Sequence, residues 1–257
     1  MLELKNIDTY FNRKTVDEVQ LFNNFSLKVD KGEFISVVGS NGSGKTTMLN
    51  LICGTLMPDS GDVFFAGKNI TKLPEYKRAK YISRVFQDPK MGTCSNLTVL
   101  ENFALADNKN KIYSLSKGVS RKRADYYREL LKKCNMGLED RMSVPVGALS
   151  GGQRQAIALV IAGMTKVDLL ILDEHTAALD PKSSETVMQI TDSLIKENSL
   201  TALMVTHNLR HATEYGSRLI MMDKGKIILD KSGEDKKNLK TEDILGIFNE
   251  ISIECGN

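Results

Sequence analysis

The sequence is poor in cysteine, and none of its cysteines stands at metal-ligand spacing. The four residues Cys53, Cys94, Cys134 and Cys255 are scattered along 257 positions. That excludes a disulfide framework and reads as buried or free thiols in a reducing compartment. Long apolar runs are lacking too. The longest uninterrupted one, Ala156 to Met164, falls far short of the ~20 residues that span a bilayer. The N-terminal stretch MLELKNIDTYF alternates apolar and polar and carries an acid early, which is no signal peptide. The expectation is a soluble, intracellular chain that reaches a membrane only through a partner. A formal net charge of +3 is too small to make nucleic acid the main partner. The basic cluster Lys117, Arg121, Lys122 and Arg123 reads as a solvated face. There is no internal repeat and no low-complexity linker.

What is present is the composition of an ordinary globular protein, 41% apolar and 26% charged, long enough for a sizeable core. Leu2 and Leu4, then Phe25, Leu27 and Val29, alternate with polar residues and predict two half-exposed antiparallel strands. The runs FISVV before Gly39, VDLLILD at 167–173 and ALMVT at 202–206 are apolar throughout. Strands of that kind are covered on both faces, as in a parallel sheet with helices between the strands. RLIMMDKGKIILD predicts a hairpin around Asp-Lys-Gly. Between about Asp88 and Leu149 the texture turns to Lys, Arg, Asn and Leu, with a predicted helix from Arg121 to Cys134. This stretch reads as a helical insertion, 88–149, into an α/β core made of 1–87 and 150–257. TEDILGIFNEI predicts a closing helix with Thr241 as its N-cap.

Two loops invite a phosphate. GSNGSGKTT, at 39–47, fits G-x-x-x-x-G-K-[ST] through Gly39, Gly44, Lys45 and Thr46, between an apolar strand and a helix-forming run. Gly39, Gly42 and Gly44 permit the backbone angles that turn successive N–H groups of Ser40, Asn41, Ser43 and their neighbours onto an anion. The helix start adds its dipole. Lys45 supplies charge for the β- and γ-phosphates and the Thr46 hydroxyl suits Mg²⁺, so this loop is expected to bind a nucleoside triphosphate. In ALSGGQRQA, at 148–156, Ser150 and Gln153 form a capping-box pattern before a helix running to Met164. A capped start with Gly151 and Gly152 is also an anion site, yet one nucleotide cannot easily use both loops of one chain.

The acids and one histidine complete a hydrolytic set. LLILDE ends a buried strand, where ligands gather in open α/β sheets. Asp173 is the candidate for the Mg²⁺ shell and Glu174 for general base or water-positioner. Of three histidines, His207 follows ALMVT directly and is placed to meet a γ-phosphate. His211 reads as surface.

These elements, in this order, resemble the ATP-binding-cassette (ABC) ATPases over nearly the whole chain. Gly39 to Thr47 match Walker A, Gln87 the Q-loop and LSGGQ at 149–153 the family signature. LLILDE matches Walker B, AALD at 177–180 the D-loop, and His207 the switch histidine. The resemblance implies a P-loop NTPase core with a mostly parallel sheet, an N-terminal antiparallel β subdomain and an inserted α-helical subdomain. It implies ATP and Mg²⁺ as ligands. Phe11 (with Tyr10 the neighbouring alternative) stacks on adenine, and Thr46, Gln87 and Asp173 attend the metal. Glu174 and His207 act in hydrolysis. The nucleotide also meets Thr47, Gln153 and Asp180. Two copies bind head to tail, so that Ser150, Gly151 and Gly152 meet the partner copy's γ-phosphate across the interface. In transporters of the family the segment after Gln87 grips the permease, which makes Asp88 to Thr98 the candidate coupling surface at the cytoplasmic face of the membrane.

One departure is DEHT at the Walker B exit, where most members read D-E-P-T. His175 there neither fixes the backbone angle nor removes the N–H as proline does, and reads as a tolerated replacement. DEHTAALDPK, MVTHN and MMDKGKIILD are similar to ATPases of bacterial importers proposed to carry tryptophan or tyrosine, which work with a permease and a lipoprotein receptor. The competing readings are a soluble ABC ATPase of the iron–sulfur assembly type, an exporter ATPase and a non-hydrolysing regulator. Lack of sustained heptads disfavours a repair ATPase, a single cassette disfavours a translation factor, and intact Glu174 and His207 disfavour a regulator.

Overall fold

The structure, a computed structural model, describes residues 1–108, 118–119, 121–165 and 167–254. Cys255 and Lys117 lie outside these, as do the side chains of Arg121 and Lys122. The chain forms two compact units, Met1–Ala79 with Thr201–Asn257, and Lys80–Leu200.

In the first unit the two alternating stretches become β1 (Leu2–Phe11) and β2 (Val19–Val29). They pair antiparallel with Leu4 opposite Leu27. The wholly buried run becomes β3 (Phe34–Gly39), which leads into α1 (Lys45–Cys53). With β4 (Ser60–Phe65) and β5 (Lys68–Asn69), the first two strands make a sheet of order β2-β1-β4-β5. The one-turn helix α2 (Glu75–Arg78) ends on an arginine that is 1% exposed. Arg78 donates to the carbonyls of Leu51, Ile52, Thr71 and Leu73, so a buried charge is spread over four backbone dipoles.

The second unit opens with β6 (Ile82–Val85) and continues through α3 (Val99–Asp107), α4 (Arg121–Lys132) and α5 (Gly151–Met164). It closes with β7 (Leu169–Asp173) and α6 (Pro181–Asn198). β6 and β7 pair in parallel, Val85 opposite Leu172. α5 links the helical stretch to the rest of this unit. Its Ala156, Ile157 and Val160 share one buried cluster with Val99, Phe103, Tyr127 and Leu131. The helical stretch and the α/β elements of this unit therefore have a common core. Of the basic cluster, Arg123 forms a two-pronged pair with Asp107 at 2.6 and 2.7 Å.

The first unit resumes with β8 (Thr201–Val205), α7 (Leu209–Glu214), β9 (Arg218–Asp223) and β10 (Lys226–Ser232). β3 lies parallel to both β8 and β9, and burial of both faces accounts for its unbroken apolar run. β9 turns into β10 through Lys224 at φ 42° and Gly225 at φ 75°, the primed turn that strand twist favours. The helices α8 (Gly233–Lys237) and α9 (Thr241–Glu254) finish the chain. Thr241 is the first residue of α9 and not its N-cap. The preceding Lys240 N–H donates to Asp243 Oδ2 at 2.8 Å, so the acid in the first turn takes over the capping.

Candidate functional site

The phosphate loop of the first unit is held from behind by the hairpin. A side chain at Gly39 would meet the Met222 carbonyl oxygen at 2.3 Å, and one at Gly44 (φ 103°) would meet Phe22 at 2.9 Å. Ser40 Oγ donates to Asp223 Oδ1 at 2.8 Å, and the Gly225 N–H donates to the Ser43 carbonyl at 3.0 Å. Gly42 (φ 77°) has open space where a Cβ would be. Lys45, 5% exposed, donates to the carbonyls of Gly39 and Ser40, each at 2.8 Å. Its ammonium lies inside the curve of the loop, where a phosphate's charge would be answered. Asn41 and Thr46 are exposed and Thr47 is half-buried.

His207, exposed, comes to the same place. A cavity of about 260 Å³ is lined by Gly39, Ser40 and Asn41, by Thr206 and His207, and by Phe248 of α9. The strand end sets this up, because the Thr206 N–H donates to the Val37 carbonyl at 3.1 Å and locks β8 beside β3. His211 is not at the surface: it is 4% exposed, with its ring edge-on to Tyr215 at 6.0 Å. Asn208 caps α7 by accepting from the His211 N–H at 3.1 Å, which turns that face of the short helix inward. Of the two N-terminal aromatics, Tyr10 is covered by the Arg13 guanidinium at 4.9 Å, whereas Phe11 is 40% exposed at the end of β1.

The second unit carries the remaining candidates. Buried β7 ends at Asp173, whose carboxylate accepts from Arg84 Nη2 at 2.5 Å. Glu174 is half-buried with φ 48°, a left-handed conformation that costs a non-glycine residue about 1 kcal/mol or more. His175 is 2% exposed and bonded to Thr191 at 3.1 Å. Gln87 is exposed, just beyond β6. The capping box at Ser150 forms in both directions at 3.3 Å, so the first turn of α5 is fixed. Gly152 needs to be glycine for packing, since a Cβ would lie 2.9 Å from that of Ser183. Gln153 Nε2 donates to the Met136 carbonyl at 3.3 Å. Asp180 caps α6, and the Ser183 hydrogen bonds hold its carboxyl below the usual range.

Three supports escaped the motif reading. Arg84 pairs with Asp173, Asp223 holds Ser40, and fully buried Gln155 donates from α5 to the Phe86 carbonyl at 3.0 Å. Asp223 alone left a trace in the sequence, as an acid ending a buried strand in the manner of Asp173.

The family model described as ABC transporter matches residues 22–177. The chain is 44% identical over 248 residues to a tyrosine transport ATP-binding protein of Clostridioides difficile, covering 96% of this chain and 98% of that one. It is 32% identical to a spermidine/putrescine import ATP-binding protein of Fusobacterium nucleatum, over 88% of this chain and 57% of the relative. Among solved structures it resembles an ADP- and phosphate-bound, dimeric post-hydrolysis ATP-binding cassette, with a TM-score of 0.75, 29% identity, and coverage of 90% and 98%. A protein from Clostridium perfringens, part of an ABC transporter complex, gives a TM-score of 0.76 at 26% identity over 96% and 94%. The architecture is that of the P-loop NTPases, with the antiparallel sheet of the first unit added.

Proposed function

The chain belongs to the ABC transporter family and is an ATPase that uses ATP and Mg²⁺, and on that premise we propose that it is the motor of an importer for a small solute of the aromatic amino-acid kind. The observation that carries the cargo is the 44% identity to a tyrosine transport ATP-binding protein over 98% of its length. Two copies close head to tail around two ATP. The pair then drives a separate membrane permease from the cytoplasmic face, supplied by a substrate-binding lipoprotein.

The donors fit Mg²⁺. Thr46, Gln87 and Asp173 offer few protein oxygens, and this ion keeps several waters and takes substrate phosphates. Among the described residues no group of three or more His, Cys, Asp or Glu could hold a metal alone, in keeping with an ion that arrives with its nucleotide. When bound, Mg²⁺ neutralises charge on the β- and γ-phosphate oxygens.

The chain's own residues do the rest. Phe11 stacks on adenine. The backbone N–H groups of 40–47 orient the phosphates, and Lys45 exchanges the Gly39 and Ser40 carbonyls for phosphate oxygens. Glu174 takes the proton of the attacking water, and His207 donates to the γ-phosphate. Ser150, Gly151, Gly152 and Gln153 present the start of α5 to the nucleotide of the partner copy, with Asp180 beside that interface. Residues 88–149 act as the helical subdomain, and Asp88 to Thr98 meet the permease.

Glu174→Gln tests this reading. It should slow hydrolysis by at least ~10²-fold and let ATP hold a stable dimer on gel filtration. Monomer alone with ATP contradicts the head-to-tail pair. Unchanged uptake of labelled tyrosine and tryptophan in cells lacking the chain rejects the cargo.

A further inference from the structure

We propose that His175 is a positioning residue for Glu174, tying the turn that carries this carboxylate to α6 through a hydrogen bond from its Nε2–H to Thr191. The inference rests on the reading of Glu174 as the base that activates water.

The direction of the bond follows from the donors. Thr191 Oγ has one proton, and it goes to the Val187 carbonyl at 2.7 Å. The 3.1 Å contact with His175 Nε2 is therefore donated by the ring, which requires a proton on Nε2. The two residues are 2% and 0% exposed, so no water competes for either end and the bond restrains both.

Three consecutive residues are thus anchored in three directions. The Asp173 carboxylate accepts from Arg84. The Glu174 carbonyl accepts from the Ala177 N–H at 2.9 Å. The His175 ring reaches Thr191, in the middle of an 18-residue helix. Between the two side-chain anchors Glu174 keeps φ at 48°, a conformation that persists only where the surroundings over-determine it. His175 is the covalent neighbour on the side away from the strand, and its bond to α6 supplies that restraint. The direction in which the Glu174 carboxylate leaves the backbone therefore depends on a hydroxyl 17 residues further along.

The test uses the full chain and compares Thr191→Val, close in shape but without the acceptor, with His175→Leu and His175→Gln. Both Thr191→Val and His175→Leu should lower kcat for ATP hydrolysis about tenfold, with KM for ATP within about twofold, since misplacement of a base weakens the chemical step and not binding. His175→Gln keeps an N–H at the Nε2 position and should recover to within about threefold of the unaltered chain. The nitrogen-15 spectrum of the nucleotide-free chain should show an Nε2-protonated His175 whose proton loses its exchange protection in Thr191→Val. A ring with no proton on Nε2, an unchanged kcat in Thr191→Val, or kcat falling only together with melting temperature and affinity overturns the proposal. Glu174→Gln is the control: if it hydrolyses ATP at the unaltered rate, the base reading itself falls. If it is inactive while Thr191→Val is normal, only the positioning role falls.

Discussion

Lys236 is 3% exposed and donates to the carbonyls of Thr213, Tyr215 and Gly216 at 2.7, 2.7 and 3.0 Å. It closes the C-terminus of α7, where a cation also meets the helix dipole favourably. Lys236→Met removes the ammonium donor from the Thr213 and Gly216 carbonyls, while the Tyr215 carbonyl keeps the Ser36 hydroxyl at 2.9 Å, and should cost about 2 kcal/mol of stability, read from denaturant unfolding. Burial pushes this ammonium down to about 8 from the ordinary 10.5. Above about pH 8 the folded chain sheds that proton while the unfolded chain keeps it until 10.5, so the unfolded state binds more protons. The contribution of Lys236 to stability then rises with pH across that window. The difference between the unaltered chain and Lys236→Met should widen from pH 8 to 10, and a narrowing there contradicts the burial argument. Nothing in KKNLK distinguishes Lys236 from the lysine beside it. Arg78, His211 and Gln155 were hidden in the same way, because burial of a polar residue is decided by carbonyls and rings remote in sequence. The Arg78 partners Leu51 and Ile52, for example, lie 27 and 26 residues away.

Strands and caps were far more legible, because they are local. The periods of 2 at Leu2–Leu4 and Phe25–Val29, the unbroken run before Gly39 and the Ser150–Gln153 box each state their structure within a few residues. Pairing between elements is less visible. Gly151 and Gly152 look alike in the sequence, but only Gly152 abuts Ser183, whereas a Cβ at Gly151 makes ordinary contact with Leu179. Gly152→Ala should therefore force α5 from α6 and destabilise the chain by about 1–3 kcal/mol. The double change Gly152→Ala with Ser183→Gly should regain most of the melting temperature. Failure to regain it would mean that the contact is not what requires glycine there.

At the scale of the whole molecule the motif order carried the family, while the core shared by α3, α4 and α5 could not be read from it. That core is made by side chains from separate elements that gather around Val160, and shared burial has no linear signature. The proposed two-copy arrangement makes its own prediction. Ser150→Arg should abolish hydrolysis while leaving nucleotide binding to the single chain within about threefold, measured with a fluorescent ATP analogue, because a bulky side chain at an exposed cap meets a neighbour and not its own fold. Loss of both would assign the loop to its own chain's nucleotide.

The hairpin behind the phosphate loop bears on how the protein is made. Ser40 and its support Asp223 are 183 residues apart, and translation at ~5–20 residues per second leaves roughly ten to forty seconds between their appearances. Throughout that interval the nascent chain displays a complete GSNGSGKTT motif with no Met222 carbonyl, Asp223 carboxylate or Gly225 N–H behind it. Ribosome-bound chains arrested with residue 215 just outside the exit tunnel should therefore fail to retain ATP-agarose, and chains arrested some twenty residues later should bind it. Competence to hold nucleotide is therefore expected only after residue 225 has left the ribosome.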